Sequence, residues 1–147
     1  MKKIIISTLF SIVYVFCAAQ SESDIFGEWF NEEKDAVVTI YKDGNSISGK
    51  TTWLKEPLDN KGNAKLDLKN PDEKLRSRKR MGLKIMHSFK YNDQENNWED
   101  GRIYDPKKGK LYGGTATLVN ENELKLKGYI ISMPFLGRTA TWTRKTN

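Results

Sequence analysis

The chain holds one cysteine and one histidine in 147 residues, and those two scarcities remove most familiar chemistry. The cysteine is Cys17, close to the start, so everything after it lacks a disulfide, a thiol nucleophile and a thiolate metal ligand. His87 standing alone excludes any multi-histidine metal centre and leaves an acid–base pair only one imidazole to use. Beyond the first residues there is no long hydrophobic run, and no segment carries a convincing long-helix pattern. Aromatic residues are missing between Leu68 and Met86, where the densest basic run, R-S-R-K-R from Arg76 to Arg80, is found. Without stacking residues among the cations, a nucleic-acid footprint is excluded. The run reads instead as a solvated loop, with peripheral contact to anionic envelope lipid or polysaccharide as its other use.

What the chain does have begins with M-K-K-I-I-I-S-T-L-F-S-I-V-Y-V-F-C-A-A-Q. Lys2 and Lys3, an apolar run and the small pair Ala18-Ala19 make the charged region, apolar region and cleavage site of a secretory signal peptide over residues 1–19. Cleavage is predicted before Gln20, giving a periplasmic or secreted protein. A lipoprotein signal acylated at Cys17 is opposed by bulky Phe16, and an uncleaved anchor by a run short of the ~20 residues that span a bilayer. Residues 20–147 have the size of one domain. The net charge is +6, to which the leader contributes Lys2 and Lys3, so the remainder is only modestly basic.

From Ile25 onward the chain alternates at period two, punctuated by Gly, Asn and Asp. I-F-G-E-W-F-N reads as a strand, and A-V-V-T-I-Y-K with S-I-S-G-K-T-T-W-L forms a hairpin about Asp43-Gly44, where glycine supplies a positive φ. G-L-K-I-M-H-S-F-K-Y places Leu83, Ile85, His87 and Phe89 in phase. N-W-E-D-G-R-I-Y and K-L-Y-G-G-T-A-T-L-V flank the turn D-P-K-K-G, and E-L-K-L-K-G-Y-I-I and R-T-A-T-W-T-R complete the set. This is an all-β chain of about eight strands, an up-and-down antiparallel sheet closed into a barrel. Residues between Trp53 and Met81 break the pattern. Asn70 as N-cap, Pro71 at the first helical position and acidic Asp72 and Glu73 predict a short helix through Leu75, in a connection that reads as a lid over one barrel mouth.

W-L-K-E-P from Trp53, D-L-K-N-P-D-E-K-L-R from Asp67, G-L-K-I from Gly82, G-R-I-Y-D-P-K-K-G-K-L-Y from Gly101 and L-G-R-T-A-T-W-T-R into Arg144 together resemble the domain of unknown function 2147 family of exported bacterial proteins. The resemblance covers nearly all of the chain after the leader and implies a lipocalin-like fold with no established activity. Where that family has paired glycines this chain has Asp100-Gly101, and it has Ile131 in place of another glycine. Gly27-Glu28-Trp29 resembles the lipocalin Gly-x-Trp signature, whose tryptophan closes the barrel base under a basic residue of the last strand. The resemblance gives Arg144 that place, with Arg138 as substitute.

Candidate chemistry is thin. Glu99 and Asp100 are adjacent on a strand and face opposite sides, so they cannot act as a glycosidase pair, and Asp105 caps a turn. Asp67, Asn70 and Asp72 offer oxygen ligands without the spacing of an EF-hand, and no metal or cofactor is assigned. His87 reads as a barrel-wall histidine before a ligand-orienting one. The D-P-K-K-G turn sets Ile103 opposite Tyr112 and Gly101 opposite Gly114. With Trp53, His87, Arg138 and Trp142 around them, these residues are the candidate lining of an apolar lumen with a few polar handles.

The expectation is an exported protein that holds a small apolar or amphipathic ligand in the lumen, its polar end fixed by Arg138, His87 or Tyr112. The second reading is an envelope structural or protein-interaction module with a filled core. The third is an enzyme on a calycin-like barrel, disfavoured by the shortage of acid–base residues. For the leader, the intact mass of the exported protein is expected to fit a chain starting at or next to Gln20. A diacylglyceryl adduct on Cys17 would establish the lipoprotein signal instead.

Overall fold

The computed structural model describes residues 20–146. The predicted leader up to Ala19 lies outside the described residues. Eight strands succeed one another in chain order: β1 Gly27–Phe30, β2 Ala36–Asp43, β3 Ser46–Leu54, β4 Lys84–Asn92, β5 Asn97–Asp105, β6 Lys110–Asn120, β7 Glu123–Ile130 and β8 Met133–Arg144. Each pairs antiparallel with the next and β8 returns to β1, so the sheet is a closed up-and-down barrel. Alternating strand direction puts the β2–β3, β4–β5 and β6–β7 turns at one end with the N-terminal residues. The β1–β2, β3–β4, β5–β6 and β7–β8 connections share the other.

The first end is sealed. Trp29 is fully buried, and its indole N–H donates to the Ile25 carbonyl at 2.8 Å. Trp98, also fully buried, donates to the Glu22 carbonyl at 3.3 Å, so two indoles hold the 3-10 turn Glu22–Ile25 across the barrel base. The Arg144 guanidinium lies 4.2 Å from the Trp29 ring centroid. It donates to the carbonyls of Phe26 and Asp24 at 2.7 Å each and to that of Glu121. Gly27 sits beneath it with φ of 120°, and a Cβ there would stand 3.1 Å from Arg144 Nη1. Arg138, by contrast, is at the opposite end of β8.

Bulges decide which side chains face inward. β3 carries one extra residue relative to β2 between the pairs Val37↔Trp53 and Val38↔Thr51. Thr51 therefore shares the inner face with Val38, while Trp53 is turned outward, 41% exposed and edge-on to Phe30 with centroids 6.1 Å apart. β4 carries extra residues relative to β3 between Phe89 and Met86 and again between Met86 and Lys84, with Ser88 at φ 57°. Met86 and Phe89 are both fully buried as a result, and His87 leaves the phase expected for it with Ile85 and Phe89. Asp100, standing where the resembling family has glycine, takes φ 58° at a further irregularity of β5 against β6.

The connection over residues 55–83 folds back on itself through the isolated bridges Leu58↔Ala64 and Leu66↔Lys79. Its helical part is shorter than predicted, a 3-10 turn over Glu73–Leu75. The cap is Asp72, which accepts from the Lys74 amide at 3.0 Å, and not Asn70, whose Oδ1 accepts from the Asp72 amide one step earlier. Gly109 lets this connection come close to the β5–β6 turn. Its φ is 67°, and a Cβ there would overlap the Lys69 carbonyl oxygen.

Truncating the plug, Trp29→Ala, is expected to lower stability by ~3–5 kcal/mol. Arg144→Ala is expected to cost less, ~1–3 kcal/mol, because it removes a cation over an aromatic face and hydrogen bonds to carbonyls. Chemical denaturation of the two variants checks this, and midpoints equal to wild type in both would mean that the plug does not hold the base.

Candidate functional site

The end opposite the plug is hollow. A cavity of about 860 Å³ opens there among the β1–β2, β3–β4, β5–β6 and β7–β8 connections. Its inner walls are apolar, formed by Val38, Ile85, Ile103, Leu126, Ala140 and Trp142, with Thr51 and Tyr112 as polar groups among them. The rim is charged, with Glu32, Asp35, Lys55, Lys107, Lys108 and Arg138 at its edge.

Three glycines in register across β5, β6 and β7 fix where the filled part ends. Gly101 pairs with Gly114, and Gly114 with Gly128. A Cβ on Gly101 would overlap the Phe89 ring, and one on Gly114 would lie 2.7 Å from Phe89 Cζ and 2.8 Å from Ile103 Cδ1. The side-chain-free patch that the sequence suggested as open space is occupied by Phe89. At Gly128 the nearest atoms to a Cβ would be Tyr112 Cβ at 3.8 Å and Ile103 Cδ1 at 3.9 Å, so this glycine borders the empty part.

Of the residues singled out in the sequence, Ile103, Tyr112, Arg138 and Trp142 come together in the cavity lining. The Ile103↔Tyr112 pairing is the one the D-P-K-K-G turn requires. Gly101 and Gly114 lie beneath Phe89, Trp53 is on the outer surface, and His87 is outside both the lining and the buried core. Burial pushes the His87 imidazole below its ordinary value, reinforced by neighbouring Lys84 and Arg78. Among the described residues, no group of three or more His, Cys, Asp or Glu converges as a metal site.

Several rim charges are already engaged. Arg138 pairs with Glu32, whose other oxygen accepts from the Thr141 amide at 3.2 Å. Burial alone would raise the Asp35 carboxyl, but hydrogen bonds from Lys107 at 2.7 Å and Asn31 at 2.6 Å outweigh it and hold the group below the usual carboxylate range. Arg80 donates to the carbonyls of Leu66 and Pro106, each at 3.1 Å, and so ties the lid to the β5–β6 turn.

The lid is pinned by one fully buried carboxylate. Asp67 accepts from the Tyr104 hydroxyl at 2.6 Å, the Asn70 amide at 2.8 Å and the Arg78 guanidinium at 3.0 Å. Asn70 also donates to Tyr104 Oη at 3.1 Å. Burial, and then the hydrogen bond to Asp67, raise the Tyr104 phenol to about 12. The three oxygen ligands considered in the sequence are thus divided: Asp67 and Asn70 form this network, and Asp72 caps the 3-10 turn. Arg80, Lys55 and Tyr104 were missed as cavity-lining residues. They belong to three separate segments, W-L-K-E-P, R-S-R-K-R and G-R-I-Y, too far apart to be joined by pattern.

A family model described as an uncharacterised protein conserved in bacteria, domain of unknown function 2147, matches residues 27–144. The chain belongs to that family. No curated protein matches it. Among solved structures it is similar to protein HP1028 from Helicobacter pylori, which is described as belonging to the lipocalin family. The identity is 20%, the TM-score 0.63, and the match covers 76% of this chain and 73% of that one. At this identity the likeness concerns the fold, a lipocalin-like barrel.

The Asp67 network carries a pH signature. Because the folded pKa of Tyr104 is raised, its neutral form is favoured in the native state. The stability this contributes is fully present below about 10 and is lost as pH rises toward about 12. Tyr104→Phe is expected to lower stability by ~1–3 kcal/mol at neutral pH, since it leaves the buried Asp67 short of a donor. Urea titrations from neutral pH to above pH 10 check both statements, with the alkaline decline shallower in the variant. An equal alkaline slope in the two proteins would exclude Tyr104 as its source.

Proposed function

We propose that this protein is exported and binds a small apolar or amphipathic molecule in the open half of its barrel. The observation that carries the reading is the cavity of about 860 Å³ above the Phe89 floor, apolar inside and charged only at its edge. Sites of this size and composition suit a drug-sized ligand whose apolar body is buried and whose polar end stays at the mouth. Thr51 and Tyr112 are the polar groups inside. Lys55 at the rim favours an anionic head, whereas Arg138, Lys107 and Lys108 would have to leave Glu32, Asp35 and Asp105 to take part. Export rests on the leader sequence.

The filled-core reading applies to the lower half of the same barrel, and the two are separated by two glycine substitutions. 1-Anilinonaphthalene-8-sulfonate, an apolar body with an anionic group, is expected to bind saturably at one site. Gly128→Leu projects into the empty part and is expected to weaken this binding by about tenfold or more with little change in melting temperature. Gly114→Leu, which meets Phe89 and Ile103, is instead expected to lose ~1–3 kcal/mol of stability through overpacking. Absence of saturable binding to wild type, or binding unaffected by Gly128→Leu, would overturn the cavity reading.

A further inference from the structure

The hairpin joining β7 to β8 carries the least covered apolar surface among the described residues. Register runs Tyr129↔Gly137 and then Ile130↔Met133, so Pro134, Phe135 and Leu136 are left out of the ladder. Proline cannot donate to a sheet, which accounts for the break at this edge. Phe135 is 80% exposed, and Ile130, Ile131, Met133 and Leu136 are exposed beside it. Ile130 and Leu136 also line the cavity, so the apolar tip is continuous with the cavity mouth. A contiguous apolar patch of this kind marks an interaction surface.

Charge on the connecting segments is divided between the two ends of the barrel. At the mouth end, residues 31–35, 55–83, 106–109 and 131–132 contain twelve Lys and Arg against eight Asp and Glu. At the sealed end, residues 20–26, 44–45, 93–96, 121–122 and 145–146 contain one Lys against five Asp and Glu. The basic end is the end that bears the apolar hairpin.

We propose that the mouth of this barrel docks on an anionic lipid bilayer, with the tip Ile131, Met133 and Phe135 entering the interface and the surrounding lysines and arginines facing the headgroups. The excess of cations comes from residues 55–83, nine Lys and Arg against five Asp and Glu. An apolar protrusion at the same end as such a basic segment is the combination that binds acidic membranes reversibly, since each element adds to the other. The acidic sealed end is repelled by the same surface, which orients the cavity toward the bilayer. This goes beyond ligand capture and places the mouth against the compartment from which an apolar ligand would come.

The test is vesicle flotation with the chain beginning at Gln20, which contains every strand of the barrel and leaves out the apolar leader that would bind lipid by itself. Vesicles of phosphatidylcholine alone are compared with vesicles containing phosphatidylglycerol. Binding is expected on the anionic vesicles, about tenfold or more above the neutral ones, and is expected to fall with added salt. Ile131→Ser with Phe135→Ser is expected to abolish it, and Lys108→Glu with Lys110→Glu to weaken it several-fold, with melting temperatures unchanged because all four side chains are exposed. Gly128→Leu keeps the docking surface, so vesicle binding that persists while probe binding is lost separates this proposal from the cavity reading. No binding to anionic vesicles would overturn it. Binding unchanged by the hairpin substitutions would transfer the contact to Arg76–Arg80 and would also overturn it. A dimer in sedimentation without lipid that the hairpin substitutions dissociate would make the patch an interface between copies instead.

Discussion

One cation over one indole determines what the rest of this barrel can be. β1 is only four residues long and meets β8 through just two register pairs, Trp29↔Arg144 and Phe30↔Thr143. A ladder so short supplies few backbone hydrogen bonds to close an eight-stranded sheet. Arg144 makes up for it by lying across Trp29 and donating to carbonyls on both sides of the seam. Carbonyl oxygens and the ring face receive its charge, with the Asp24 and Glu121 carboxylates close enough to favour it. With the base shut in this way, any hollow has to be at the other end.

The hollow there is a matter of side-chain volume. An eight-stranded barrel encloses about as much space as its own side chains fill. Trp29, Trp98, Phe89, Met86 and the aliphatic residues of β2 and β3 take up the lower half, and glycines at 101 and 114 give Phe89 its room. Above that level the inward positions are smaller or farther apart, with Gly128, Ala140 and Thr51 among them. The lid does not refill the gap, because Asp67, Tyr104 and Arg80 tie it to the end of β5 and the adjoining turn.

The strands and tight turns were legible in the sequence because period-two alternation and Asp-Gly or Pro-x-x-Gly punctuation act locally. The plug was legible through resemblance, since Gly27-Glu28-Trp29 matches the lipocalin signature and that signature implies a basic residue of the last strand, Arg144, over the ring. Trp53 and His87 were misplaced for one shared reason: an extra residue in β3 and others in β4 reverse the facing of the neighbouring positions, and neither Thr52 nor Ser88 announces a bulge as glycine would. Gly101 and Gly114 were placed opposite one another correctly, but strand pattern does not say which side chain from across the lumen occupies their space. The Asp67 network was invisible because it depends on how a long connection folds back over β5.

The register also fixes where the chain entropy of this fold is concentrated. Five of the eight ladders, β2–β3, β4–β5, β5–β6, β6–β7 and β7–β8, close over turns of a few residues, and β1–β2 over a loop scarcely longer. Only two draw together distant parts of the chain: β3–β4 across the lid, and β1–β8, where Arg144 reaches Phe26 from 118 positions away. Closing long loops is entropically the least favourable part of forming such a sheet. Each of these two ladders is accompanied by a set of side-chain hydrogen bonds centred on a charged group, Arg144 at the seam and Asp67 within the lid. Charges are thus buried or half-buried at the two places where local pairing alone holds the chain least.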